Sequence, residues 1–545
     1  MIKFIKKYWI ELLVFGAIFG GLLVCLSPNI TWMSTDSDGA HYILAAKYMT
    51  VAHHMSAPLY LLIGHMFLWI PIGTDAWRMG LISMLATVGC CVFIYLIVRR
   101  LLKDNSNARL YAIISSLVYG GSALVISQST IIETYTLATM CGVGAYYFAL
   151  TKRWSWSSVL LGIGIAVHPF LAFIAWVVLF FTYKEMRNWR RYLITIAFFA
   201  FYLYIPIIGH INPNDNMWGN ETTKGFFGGT FGMVLMLTGG LSMWDMPKRF
   251  IDTILILLVS FGLGIIPLIY NFVKTRTWRN HLLWLVLIPV IFFAINLTAE
   301  TYVYMIVAIA FGSIAVGLGL SNMRKKWAIV VLIATIGLMG WNTNHFDIGR
   351  TLDSEMSAMK FYNEELPKIP DGEIFMGGGW NWSMVYLYNK EEHRNIIPIS
   401  TDSLPDDNYV AILKQKGIQL ETSNSKSYIT KQGEIELSIA ELNEGVWIAK
   451  ETKPEVYQYV IEPAKGNEAY VGRWIGQELQ PEWKWKPSNP YLYISGQLEV
   501  KEWHHILQSS RNAFFIISLA VYGWFMSWVL IKLWKRRKKN DSTKT

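Results

Sequence analysis

Long apolar runs, closed at alternate ends by clusters of lysine and arginine, constrain this chain more than any other feature. A helix rises 1.5 Å per residue, so about 20 apolar residues cross the hydrocarbon layer of a bilayer. Such runs lie at 8–26, 79–98, 110–127, 132–150, 192–209, 250–272, 282–296, 301–320, 327–341 and 514–533. Basic clusters follow or precede them at Lys3, Lys6 and Lys7, at Arg99, Arg100, Lys103 and Arg109, at Lys152 and Arg153, at Lys274, Arg276 and Arg279, at Arg324, Lys325 and Lys326, and over 535–539. Lipid offers backbone groups no hydrogen-bond partner, so segments of this kind are helices. With 53% hydrophobic and only 16% charged residues, against roughly a quarter charged in a soluble domain, the expected fold is a polytopic α-helical membrane protein of about 11–12 spans.

Basic loops face the cytoplasm, and every cluster lands on one side if the chain starts there. The loop 28–76 is then extracytoplasmic, as are 128–130 and the neighbouring Glu133. The run 156–183 has basic residues at both ends, yet it is too short for two full crossings. His168-Pro169 marks its break, because proline removes a donor and disfavours helix in the residue before it. The expectation is a short broken hairpin with His168 at its outer apex. Residues 342–510 form an outer α/β-type domain before the last span and basic tail, 511–545, so the helical domain is 1–341. Strand-like 373–376 runs into Gly377-Gly378-Gly379, which without a phosphate-binding motif reads as a turn.

The net charge of +10 is spread over these topology signals, which excludes nucleic acid as the partner and leaves the bilayer. Cys25, Cys90, Cys91 and Cys141 all fall in apolar runs and form neither a disulfide framework nor a metal-binding spacing.

Three outward features have residues suited to chemistry. Asp36 and Asp38 follow the first span. Glu133 precedes Thr134-Tyr135 at the mouth of another, and His168 stands at the hairpin apex. Ionisable groups at membrane depth are costly and commonly functional, although acids also favour the first turn of a helix. Arg78, an outer cation, suits an anion such as a lipid phosphate, or the headgroups themselves.

These residues recur in order within a larger pattern. Asp38-Gly39-Ala40-His41 is followed by Ala52-His53-His54-Met55-Ser56-Ala57-Pro58-Leu59-Tyr60, then Ala76-Trp77-Arg78-Met79 leading to Ser83, Glu133-Thr134-Tyr135-Thr136-Leu137, Gly164-Ile165-Ala166-Val167-His168, Tyr202-Leu203-Tyr204-Ile205-Pro206 and Trp218-Gly219-Asn220. Over 1–341 the chain resembles the C-type (GT-C) integral-membrane glycosyltransferases, in particular their protein O-mannosyltransferase-like branch. That branch has Asp-Ser-Gly-Glu followed by Ala-His-Pro-Pro-Gly-Tyr-Pro-Leu-Tyr. Here His41 replaces the second acid, and His54-Met55-Ser56-Ala57 replaces Pro-Pro-Gly-Tyr.

The resemblance implies transfer of a sugar, mannose in that branch, from a polyprenyl-phosphate donor to a protein or envelope-glycan acceptor on the outer face. Asp38 would be the general base, with Asp36 and Glu133 beside it. Donor and acceptor contacts would fall to Arg78, His41, His53, His54, Tyr60, Tyr135, His168 and Trp218. Asp36 and Glu133 are the candidate ligands of a divalent cation, Mg or Mn, the hard ions that carboxylates prefer. Two other readings stay open: an envelope-glycan polymerase or ligase using a lipid-diphosphate donor, and a multi-pass transporter with no enzymatic role.

Overall fold

The computed structural model describes residues 2–31, 38–52, 57–211, 246–275, 281–295, 303–345, 358–377, 381–405, 407–424, 428–453 and 458–463. Asp36, His53, His54, Trp218, Gly378-Gly379 and the last span with its tail lie outside these residues.

The described chain is mainly helical, with a small sheet late in the sequence. Helices α1 (Ile2–Cys25), α2 (Gly39–Tyr48), α3 (Pro58–Phe67), α4 (Asp75–Leu101), α5 (Ala108–Gly120), α6 (Ala123–Ser129), α7 (Tyr135–Leu150), α8 (Trp154–Val167) and α9 (Pro169–Thr182) build the first part. Among the described residues, four helical stretches are long and apolar enough to cross a bilayer: Lys6–Cys25, Asp75–Leu101, Trp189–Ile211 and Thr253–Lys274. The run 301–320 falls partly on the shorter apolar helix Met305–Ser321, and the broken run 156–183 on Trp154–Val167 and Pro169–Thr182. The protein is thus a polytopic α-helical membrane protein.

The run 110–127 differs from a straight crossing. It breaks between α5 and α6 with a 63° bend at Gly121-Ser122. The bend frees the Gly121 carbonyl, and the buried Asn342 Nδ2 donates to it at 2.7 Å. Tertiary partners of this kind let a buried helix break at membrane depth. Beyond the bend, Ser127, Gln128, Ser129 and Thr130 are fully buried. Ser129 and Thr87 of α4 pair their hydroxyls at 2.6 Å.

Helices α8 and α9 form the expected hairpin. At 14 residues each, the arms are about 21 Å long, short of the hydrocarbon thickness. His168 is the junction, in extended conformation, and its Nδ1 accepts from the Leu171 amide at 3.5 Å. Trp154 and Tyr183 close the open end, their ring centroids 5.4 Å apart.

Two ends of the helical bundle can be told apart by chemistry. At one, Arg109 of α5 grips Glu11 of α1, near Arg99 and Arg100 at the end of α4. At the other, the Ser27 amide donates to Thr130 at 2.8 Å, and α2, Glu133 and His168 gather.

The sheet has strands β1 (Ile374–Gly377), β2 (Ile397–Ser400), β3 (Val446–Lys453) and β4 (Gln458–Pro463), in the order β2-β1-β3-β4. β1 is parallel to β2 and β3, while β4 is antiparallel to β3. The parallel β1–β2 pair is joined by the helix Asn381–Glu392, as parallel pairing requires a crossover. All four residues of β1 are buried, which fits a central strand. This α/β unit sits against the loop end of the bundle: the Ala358 amide donates to Ile30 at 2.9 Å.

Candidate active site

Asp38 stands at the N-terminus of α2, and its carbonyl accepts from the Tyr42 amide at 2.9 Å. Its carboxylate makes no capping hydrogen bond to the first turn, so helix capping does not account for the side chain. One turn on, Tyr42 is buried on the same face of α2, as residues four apart must be.

Glu133, 1% exposed, precedes α7 and is clamped by α4. Ser83 Oγ donates to the Glu133 carbonyl at 2.8 Å and accepts from the Glu133 amide at 3.2 Å. One carboxylate oxygen of Glu133 accepts from the Thr134 amide at 3.3 Å. A single hydroxyl therefore fixes the main chain on both sides of the acid, and the start of α7 favours its negative charge.

The charges of both acids act on Tyr42. Burial first, and then the charges of Asp38 and Glu133, push the Tyr42 hydroxyl well above the usual tyrosine range, while a hydrogen bond with the Thr134 side chain opposes this. Tyr60 of α3 packs edge-on against Tyr42, with ring centroids 5.2 Å apart. Next to Glu133, Tyr135, His168 and Tyr304 form an aromatic triangle with centroid separations of 5.3, 5.5 and 5.8 Å. Carboxylates at two helix starts, with aromatic rings and an imidazole next to one of them, can accept a proton from a hydroxyl and hold a ring-shaped, hydroxylated ligand.

Residues 38–201, which hold Asp38, Glu133, Tyr135 and His168, match the family of the protein O-mannosyl-transferase TMEM260 N-terminal domain. The fold is similar to that of ArnT from Cupriavidus metallidurans bound to undecaprenyl phosphate, with a TM-score of 0.50 at 11% identity, covering 77% of this chain and 97% of that one. The chain carries the GT-C glycosyltransferase fold. The apo form of ArnT from Cupriavidus metallidurans aligns with a TM-score of 0.49 at 12% identity, over 77% of this chain and 96% of that one. The arabinofuranosyltransferase AftD from mycobacteria gives 0.45 at 12%, covering 83% of this chain and 36% of that one. No curated protein sequence matches the chain.

Within this GT-C fold the other candidate residues fall in different places. Arg78 lies in the first turn of α4, where its guanidinium donates to Asp75 at 3.1 Å and to the carbonyls of Leu68 and Ile72 at 3.2 and 3.1 Å. A local carboxylate thus already serves as its anionic partner. His41 is fully buried and packs on Trp382 of the α/β unit, with ring centroids 4.7 Å apart. Tyr60 is likewise fully buried and reaches the site through Tyr42. No group of three metal-ligating side chains is gathered among the described residues.

Sequence reasoning missed Tyr42, Tyr304 and Trp382. The spacing of Tyr42 from Asp38 was a usable signal, and Tyr304 lies at the start of the apolar run 301–320. Nothing local marks Trp382.

Proposed function

We propose that the protein transfers a sugar from a polyprenyl-phosphate donor to a hydroxyl group of a protein or envelope glycan at the extracytoplasmic face of the cell membrane. The observation that carries this reading is the placement of Asp38 at the start of α2 and of the Ser83-clamped Glu133 at the start of α7, beside the Tyr135–His168–Tyr304 rings, within the region of the O-mannosyltransferase-like match. The undecaprenyl phosphate bound to ArnT supports a lipid-phosphate donor.

In the reaction, the acceptor oxygen attacks the anomeric carbon and its bond to the phosphate oxygen breaks. The lipid phosphate leaves with the electron pair, and the acceptor's proton passes to Asp38, whose carboxylate is not engaged in capping α2. Glu133, held by Ser83, orients the acceptor side of the site through Tyr42 and Thr134. Tyr135 and His168 line the sugar. A divalent cation would be held by Glu133 with Asp36 and would stabilise the departing phosphate charge.

The decisive comparison is Asp38→Asn against wild type, measured as sugar transfer from a polyprenyl-phosphate donor per folded molecule. The variant keeps size and packing but loses the proton acceptor, so turnover falls by ~10²–10⁴-fold, with donor binding retained. Near wild-type turnover removes Asp38 from the mechanism. A strong chelator stops transfer if the cation is required. For orientation, cysteines placed at Ser56 and Ser403 react with an impermeant reagent in intact cells, and one at Asn105 reacts only after permeabilisation. The reverse pattern overturns the outer-face assignment.

A further inference from the structure

Helix α2 has 10 residues, too few to be stable alone in water, since isolated helices below about 12–15 residues are marginal. Its N-terminus also lacks a side-chain cap. Yet its start sets where Asp38 stands, so something outside α2 must hold it. The helix Asn381–Glu392 of the α/β unit does so at two points. Near both N-termini, the buried ring of Trp382 lies edge-on against the buried His41, which is three residues from Asp38 in sequence. Near both C-termini, Glu391 meets Lys47 at 2.6 Å. The same order of contacts along both helices places them side by side and parallel.

The second point extends further. Lys47 also binds Asp75 at 2.8 Å, and the other oxygen of Asp75 holds Arg78 at 3.1 Å. The second oxygen of Glu391 accepts from the Tyr362 hydroxyl at 3.0 Å. One chain of charge-assisted contacts therefore joins the α/β unit to α2 and to the first turn of α4. The ionic groups in it are partly exposed, which limits each pair to a modest contribution. The Trp382–His41 contact, sealed from water, is the stronger half.

We infer that the helix Asn381–Glu392 is a positioning clamp for Asp38, with Trp382 and Glu391 as its positioning residues. The α/β unit is then a working part of the active site. This rests on the reading of Asp38 as the general base.

The test uses the full-length protein, purified in lipid nanodiscs with a polyprenyl-phosphate sugar, with amide exchange followed in parallel. Trp382→Ala lowers kcat by about 10²-fold, the scale of a misplaced reacting group, and leaves the donor KM near its wild-type value. Exchange rises in residues 39–48 and stays unchanged in residues 135–150. Trp382→Phe, which keeps a ring against His41, restores most of the turnover. Wild-type kcat in Trp382→Ala, or unchanged exchange of α2, overturns the clamp. So does a loss of kcat that runs in step with deprotection of residues 135–150.

If Trp382→Ala fails to fold, Lys47→Met and Glu391→Gln replace it. Each lowers kcat by about two- to fivefold, and the double variant is no worse than the worse single one; additive losses overturn the proposal. Failure of the functional reading looks different: the wild type then transfers nothing from this donor, or Asp38→Asn retains its turnover. In that case α2 exchange in Trp382→Ala still decides whether the clamp exists.

Discussion

Glu11 and Glu133 are both buried glutamates on this bundle, one near each end, and they are held by opposite means. Glu11 is 6% exposed; Arg109 contacts its two oxygens at 2.8 and 2.5 Å, and Tyr95 adds a hydroxyl at 2.5 Å. A cation thus neutralises Glu11 and ties α1 to α5. Glu133 is fixed through its main chain by Ser83, and its carboxylate rests on the Thr134 amide. Its charge is felt by Tyr42. An acid locked into an ion pair joins helices, whereas an acid fixed through its main chain is positioned by a neutral hydroxyl and keeps its charge beside Tyr42. Burial alone does not separate the two cases; the partners do.

Glu133→Gln tests this contrast most sharply. The amide oxygen still accepts from Thr134, so the fold persists, but the charge near Tyr42 is gone. Turnover falls by ~10²-fold while the thermal midpoint stays close to wild type. A variant that unfolds more readily yet turns over normally would make Glu133 a second Glu11.

Glu11→Gln gives the opposite pair of outcomes. Arg109 loses its counter-charge, which costs about 1–3 kcal/mol, towards the lower end because its side chain is 37% exposed. Thermal unfolding in nanodiscs shows an earlier midpoint, and transfer per folded molecule is unchanged. Loss of turnover without loss of stability would break the comparison from this side.

Asp371 supplies the exposed extreme. It accepts from the Asn395 amide at 3.0 Å and from Arg394 at 2.7 Å, and these contacts, the amide first, hold its carboxyl below the usual aspartate range. Because the folded value lies below the unfolded one, the stabilisation is present above the unfolded value and fades as the pH falls through the folded one. Asp371→Asn therefore flattens the acid limb of the unfolding profile slightly and leaves transfer untouched. An Asp371 variant with reduced transfer would show that this exposed contact of the α/β unit also acts on the site.

Local signals carried the sequence reading a long way. Apolar runs and basic clusters located the long helices, His168-Pro169 marked the hairpin apex, and strand-like 373–376 became β1. Asp38, Glu133, Tyr135 and His168 stood out as candidates because each sits where an apolar run meets a loop. The bend at Gly121 was not, since a glycine pair in an apolar run signals a break only when a distant residue, here Asn342, satisfies the freed carbonyl.

What the sequence determined alone is which segments are long apolar helices, which end of the bundle gathers the basic clusters, and that Asp38 and Glu133 stand at helix starts. Those follow from hydropathy, charge and proline sterics, all of which act over a few residues. The tertiary structure decided that Ser83 clamps Glu133, that Tyr60 packs on Tyr42, that Arg78 already has Asp75, and that Trp382 lies on His41. Each of these joins side chains whose meeting depends on how helices pack and in what register. A hydroxyl, a phenol or an indole reads the same in sequence whether its partner lies four residues away or three hundred.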